Sequence, residues 1–133
     1  MYDVAVAMAE TRPRSLIVAE LEERGLSVCA WPDTTATLRA LLTGEADARV
    51  VVLDLGGESG LSPEQAAQVA RALNGRRLIL LMSAYGGDRY AEARRHAFAV
   101  LVRPFRVGDV VQVVEEALTS PRTSRTDTHT PAR

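Results

Sequence analysis

The chain has 133 residues, enough for one compact domain and too few for two. Hydrophobic residues make up 47% and charged residues 25%, the balance of a soluble globular protein. A formal net charge of −1 gives no bulk attraction to nucleic acid, and no apolar stretch reaches the roughly 20 residues that a membrane span needs. Cys29 is alone, so no intrachain disulfide can form, and the first residues lack a signal-peptide pattern; a cytoplasmic location is expected. All 16 basic residues are Arg and none is Lys.

Short apolar runs alternate with stretches of helical spacing. Val4–Met8, Leu26–Trp31, Val50–Leu55, Leu78–Met82 and Val100–Val102 read as strands. Between them, residues 13–24 place Ile17, Val18 and Leu21 on one face, and Gly25 stops that helix. Residues 34–43 group Leu38, Leu41 and Leu42, with Gly44 as the stop. Ser62-Pro63-Glu64-Gln65 is a helix start, with Ser as N-cap, Pro in the first turn and Gln at the capping-box position; Gly75 closes that segment. Residues 88–96 form a helix of mixed character. Residues 107–118 put Val107, Val110, Val111, Val114 and Leu118 on one stripe, leaving Val113 and Ala117 off it as a second apolar row. Five β-α alternations imply an α/β fold with a five-stranded parallel sheet, helices on both faces and right-handed crossovers. Residues 119–133 are polar and lack large apolar groups, so a disordered tail is expected beyond a domain spanning 1–118.

The run Val50-Val51-Val52-Leu53 is apolar throughout, as a parallel strand covered on both faces must be. It ends in Asp54, and sites in open α/β sheets lie beyond the carboxyl ends of strands. Ser83-Ala84 follows the fourth run and Arg103-Pro104-Phe105 the fifth, so three polar groups stand at successive strand ends. In this order and spacing the chain resembles the receiver domain of two-component response regulators over roughly residues 1–118. The resemblance implies a flavodoxin-like sheet in order 2-1-3-4-5, with a cis peptide common before the Pro of the last strand end. It also implies that Asp54 accepts a phosphoryl group from a histidine kinase, with Ser83 and Arg103 meeting the phosphoryl oxygens. Such a domain is a signalling module and not an enzyme. Output or dimer contacts would then fall on the face of the fourth helix, fifth strand and fifth helix, with Tyr90, Arg94, Val113 and Glu116 as candidates.

The chain also departs from that pattern. Members of the family usually carry two adjacent acidic residues after the first strand, which hold Mg²⁺. This chain has Met8-Ala9 there, with Glu10 as the nearest carboxylate. Mg²⁺ takes oxygen ligands in near-octahedral geometry, so Asp54, the carbonyl of Gly56 and Glu10 are the remaining candidates. Arg103 stands where Lys is usual, and its planar fork suits either a phosphoryl group or the bare Asp54 carboxylate. The loop Gly57-Glu58-Ser59-Gly60-Leu61-Ser62 replaces the family's usual turn. Two mechanisms stay open: phosphoryl acceptance at Asp54 with a degenerate metal site, or a phosphorylation-independent interaction module with Arg103 paired to Asp54. A small-ligand or nucleotide-binding flavodoxin-like module is the rival from another class, with the Gly56-Gly57 and Gly86-Gly87 turns lining its pocket. His96 reads as a solvated helix-end residue, Cys29 as a small core residue, and Arg76, Arg77, Arg89, Arg94 and Arg95 as a solvated face.

Overall fold

The structure, a computed structural model, describes residues 1–56, 59–84 and 87–120. Expectations for Gly57, Gly86 and the tail from 121 to 133 lie outside those residues. The five strands are β1 (Tyr2–Ala7), β2 (Val28–Cys29), β3 (Ala48–Asp54), β4 (Arg77–Met82) and β5 (Ala99–Val102). They form one parallel sheet in the order β2-β1-β3-β4-β5, the flavodoxin-like arrangement. The helices are α1 (Thr11–Glu23), α2 (Thr34–Thr43), α3 (Pro63–Ala72), α4 (Ala91–Arg94) and α5 (Val107–Thr119), with a 3-10 turn at Gly87–Tyr90 before α4.

Strand side chains alternate between faces, and the sequence splits accordingly into two cores. Val4, Val6, Val50, Val52, Ile79, Leu81 and Leu101 pack against α1 and α5. Ala5, Ala7, Val51, Leu53, Leu78, Leu80 and Met82 pack against α2, α3 and α4. This double burial is why the strand segments are apolar at both parities. The helix ends follow local chemistry. Ser62 and Gln65 form a reciprocal capping box at the start of α3, with Ser62 Oγ accepting from Gln65 N at 3.1 Å. Gly44 caps α2 with φ of 83°, a left-handed conformation that costs glycine no steric penalty.

Three local expectations are corrected. β2 shrinks to two residues, because it is an edge strand that pairs with β1 only at Val4↔Val28 and Ala5↔Cys29. The mixed segment 88–96 supports only one α turn after the 3-10 turn, held by surface pairs of Glu92 with Arg71 at 3.2 Å and Arg95 at 3.3 Å. The second apolar row on α5 is core: Val113 is 6% exposed and Ala117 3%, because α5 is wedged between α1 and the sheet. Tyr90, another candidate contact residue, is also buried, and its hydroxyl donates to Leu61 O at 3.2 Å. Of the four residues expected on a contact face, only Arg94 and Glu116 are exposed.

Candidate functional site

The alternation that divides the core also aims the site. Val52, Leu81 and Leu101 all belong to the core under α1 and α5. Two residues further along their strands come Asp54, Ser83 and Arg103, which by the period of two project to that same face. The ladder brings them side by side. Asp54 is in register with Leu81 and Met82 with Val102, and Arg103 N donates to Met82 O at 2.9 Å.

Asp54 is 5% exposed and both its oxygens are engaged. Oδ1 accepts from Gly56 N at 2.9 Å, and Oδ2 accepts from Arg103 Nη2 at 2.9 Å. The Arg103 guanidinium also lies over the Phe105 ring, 5.1 Å from its centroid, and the intervening Arg103–Pro104 peptide is cis. Its other terminal nitrogen, Nη1, is buried without a hydrogen-bond partner. The contact to Asp54 is therefore a single charge-assisted bond, with a second donor left over beside it. Ser83 is half-buried directly after β4 and has a contact of its own.

Gly56 is required by close approach. A Cβ there would sit 3.1 Å from Asp54 Oδ1 and 3.3 Å from Arg103 Nη1. We expect Gly56→Val to loosen the Asp54–Arg103 pair and lower stability by about 1–2 kcal/mol, read by urea unfolding, with Gly56→Ala intermediate.

The residues near the end of β1 do not fit a Mg²⁺ cage. Met8 is fully buried in the apolar core beneath α1 and α5. Glu10 is exposed at the N-cap of α1, and its carboxylate makes no capping bond. The oxygens of this loop are already gathered by a cation: Arg14 Nη1 donates to Met8 O at 2.9 Å, Ala9 O at 3.1 Å and Pro32 O at 2.8 Å. Gly56 O accepts from Ser59 N at 3.0 Å. No group of three or more metal-ligating side chains occurs among the described residues. A hard divalent ion takes one or two protein carboxylates besides water in near-octahedral array; this set offers Asp54, already bonded to Arg103, the Glu10 carboxylate at the N-cap of α1, and backbone carbonyls that already have donors.

Arg14 is the site residue that sequence reading missed. It lies on the same helical stripe as Ile17 and Leu21, at i, i+3 and i+7. An arginine on an apolar stripe was the signal, since a half-buried guanidinium needs acceptors.

No family model matches the chain, and no curated protein does. Solved structures do. A response regulator receiver domain protein from Clostridium thermocellum superposes with a TM-score of 0.72 at 19% identity, covering 89% of this chain and 94% of that one. The receiver domain of NtrX from Brucella abortus gives 0.72 at 20% identity, covering 90% of this chain and 100% of that one. A Francisella response regulator receiver domain gives 0.71 at 18% identity, covering 89% and 97%. Five parallel strands in the order 2-1-3-4-5, with the polar groups at the ends of β3, β4 and β5, give this chain the fold of response regulator receiver domains.

Proposed function

We propose that the chain is a signalling domain of the two-component type that works through protein contacts, with Asp54 held by Arg103 instead of carrying a phosphoryl group. The observation that carries this reading is the 2.9 Å bond between Arg103 Nη2 and Asp54 Oδ2 in a site whose other oxygens do not suit a divalent metal. Phosphoryl transfer relies on cations that neutralise charge developing on the transferred group and on a nucleophile free to attack in line. At this site one Asp54 oxygen is bonded to a guanidinium and the other to a backbone N–H. A guanidinium can replace part of the metal's charge, but it cannot bridge an attacking and a leaving oxygen as a metal does. The pair instead ties the end of β3 to the loop after β5, which fixes the surface that a partner would meet.

The alternative is phosphoryl acceptance at Asp54, favoured by Ser83 and Arg103 standing on the same face at adjoining strand ends. An Asp54 oxygen would attack the phosphorus of a phosphohistidine donor, displacing the imidazole, and Ser83 and Arg103 Nη1 would take the phosphoryl oxygens. One experiment separates the two. The chain and its Asp54→Asn variant are incubated with acetyl phosphate and Mg²⁺ and read by intact mass. We expect no phosphoryl adduct on either protein. An adduct on the wild type that is absent from Asp54→Asn would establish the alternative and end the interaction-only reading.

A further inference from the structure

A chain of hydrogen bonds leads out of the Asp54 site along the connection between β3 and α3. Gly56 N donates to Asp54 Oδ1 at 2.9 Å, Ser59 N to Gly56 O at 3.0 Å, and Leu61 N to Ser59 Oγ at 3.2 Å. Tyr90 Oη then donates to Leu61 O at 3.2 Å, and Tyr90 immediately precedes α4. We propose that this chain couples the Asp54–Arg103 pair to α4, so that the surface bearing Glu92, Arg94 and Arg95 shifts when Arg103 releases Asp54. The coupling rests on the closed pair of the proposed function and extends its reach to a second surface, with Tyr90 as the positioning residue.

The build of α4 makes it responsive. It is one turn long, and a single helical turn is unfavourable without tertiary support. Its position is therefore set by what fastens it. Ala93 at 0% exposure and Tyr90 at 6% anchor it in the core shared with α2 and α3. On the outside, Glu92 pairs with Arg71 at 3.2 Å, but both side chains are about half exposed and such pairs contribute little. The Tyr90 hydroxyl is the polar link on the inner side, and it joins α4 to the same connection that leaves Asp54.

That connection is held at both ends. Asp54 closes β3, and Ser62 caps α3 through its reciprocal bonds with Gln65. Between them the hydrogen bonds run in series, and Leu61 packs on the same core as Tyr90. The two Asp54 oxygens belong to one rigid carboxylate. When Arg103 Nη2 leaves Oδ2, the group is free to turn, and its turning moves the acceptor of Gly56 N at Oδ1. Coupling of this kind is reciprocal, so a partner that repositions α4 also loosens or tightens the Asp54–Arg103 pair.

The test is an amide NMR comparison of the whole chain in four forms: wild type, Arg103→Met, Tyr90→Phe and the double variant. Tyr90→Phe removes the hydroxyl and keeps the buried ring. We expect Arg103→Met to shift the amides of Gly56, Ser59 and Leu61 and also those of residues 91–96. In the Tyr90→Phe background the first set of shifts stays, and the shifts at 91–96 fall by at least about half. Should Arg103→Met fold poorly, Arg103→Lys gives the same pattern at smaller amplitude, because lysine keeps the charge without the planar fork. Shifts at 91–96 of equal size with and without the Tyr90 hydroxyl would overturn the proposal, the signal then running along the backbone between β4 and α4. Shifts that stop at Leu61 would also overturn it, while leaving the closed pair standing. No shift at Gly56, Ser59 or Leu61 would show instead that Arg103 does not hold Asp54, and the proposed function would fall together with the coupling.

Discussion

Met8→Asp should destabilise the domain by at least about 3 kcal/mol, with a fall in Tm of about 10 °C or more. Met8 is 0% exposed in the core formed with Ile17, Leu21 and Val110. A carboxylate there has no charge partner of its own, and Arg14, which is bonded to the Met8 carbonyl, is already shared among three carbonyls. Met8→Leu, which keeps volume and polarity, should cost less than about 1.5 kcal/mol. The contrast bears on function because this is the position where a metal-binding receiver places an acid. Urea unfolding of Met8→Asp with and without Mg²⁺ should give the same midpoint. Recovery to wild-type stability by Mg²⁺ would show that the position can deliver a carboxylate to a metal beside Asp54, contrary to the donor set described above.

The second large effect is expected at Arg103. Arg103→Met leaves the buried Asp54 carboxylate with Gly56 N–H as its remaining bond and should cost about 2–3 kcal/mol at neutral pH. The figure lies below the roughly 3–5 kcal/mol of fully buried pairs because the Arg103 side chain is 32% exposed. Arg103→Lys keeps the charge but loses the planar fork and the stacking over Phe105, so it should recover only part of the loss. The variants can be ranked by urea midpoints at constant m-value.

Most of the architecture was legible in the chain. The apolar runs at both parities of β3 and β4 imply burial on two faces, and only a parallel sheet between helix layers provides that. Ser62-Pro63-x-Gln65 announced α3, and Gly25, Gly44 and Gly75 marked turns where φ is positive. The pairing of Asp54 with Arg103 was also foreseeable, since both stand two residues past core positions of one face. What failed was the reading of α5. A stripe drawn at ideal helical spacing left Val113 and Ala117 outside, whereas a helix wedged between a sheet and a second helix buries a wider arc. Tyr90 was misjudged for a related reason: its ring is core, and its hydroxyl finds its partner across 29 residues of sequence at Leu61 O. Arg14 stands on the apolar stripe of α1, but its acceptors are backbone carbonyls brought together by the β1–α1 and β2–α2 loops, and those the sequence does not mark.

The central claim is that Asp54 and Arg103 act as one coupled pair. A double-mutant cycle tests it most directly: urea unfolding of the wild type, Asp54→Ala, Arg103→Ala and the double variant in one buffer. The account predicts a coupling energy of at least about 1.5 kcal/mol, the double variant being more stable than the two single losses would sum to. Coupling within about 0.5 kcal/mol of zero would mean that the two side chains stand independently in solution, and a site closed by Arg103 would be contradicted.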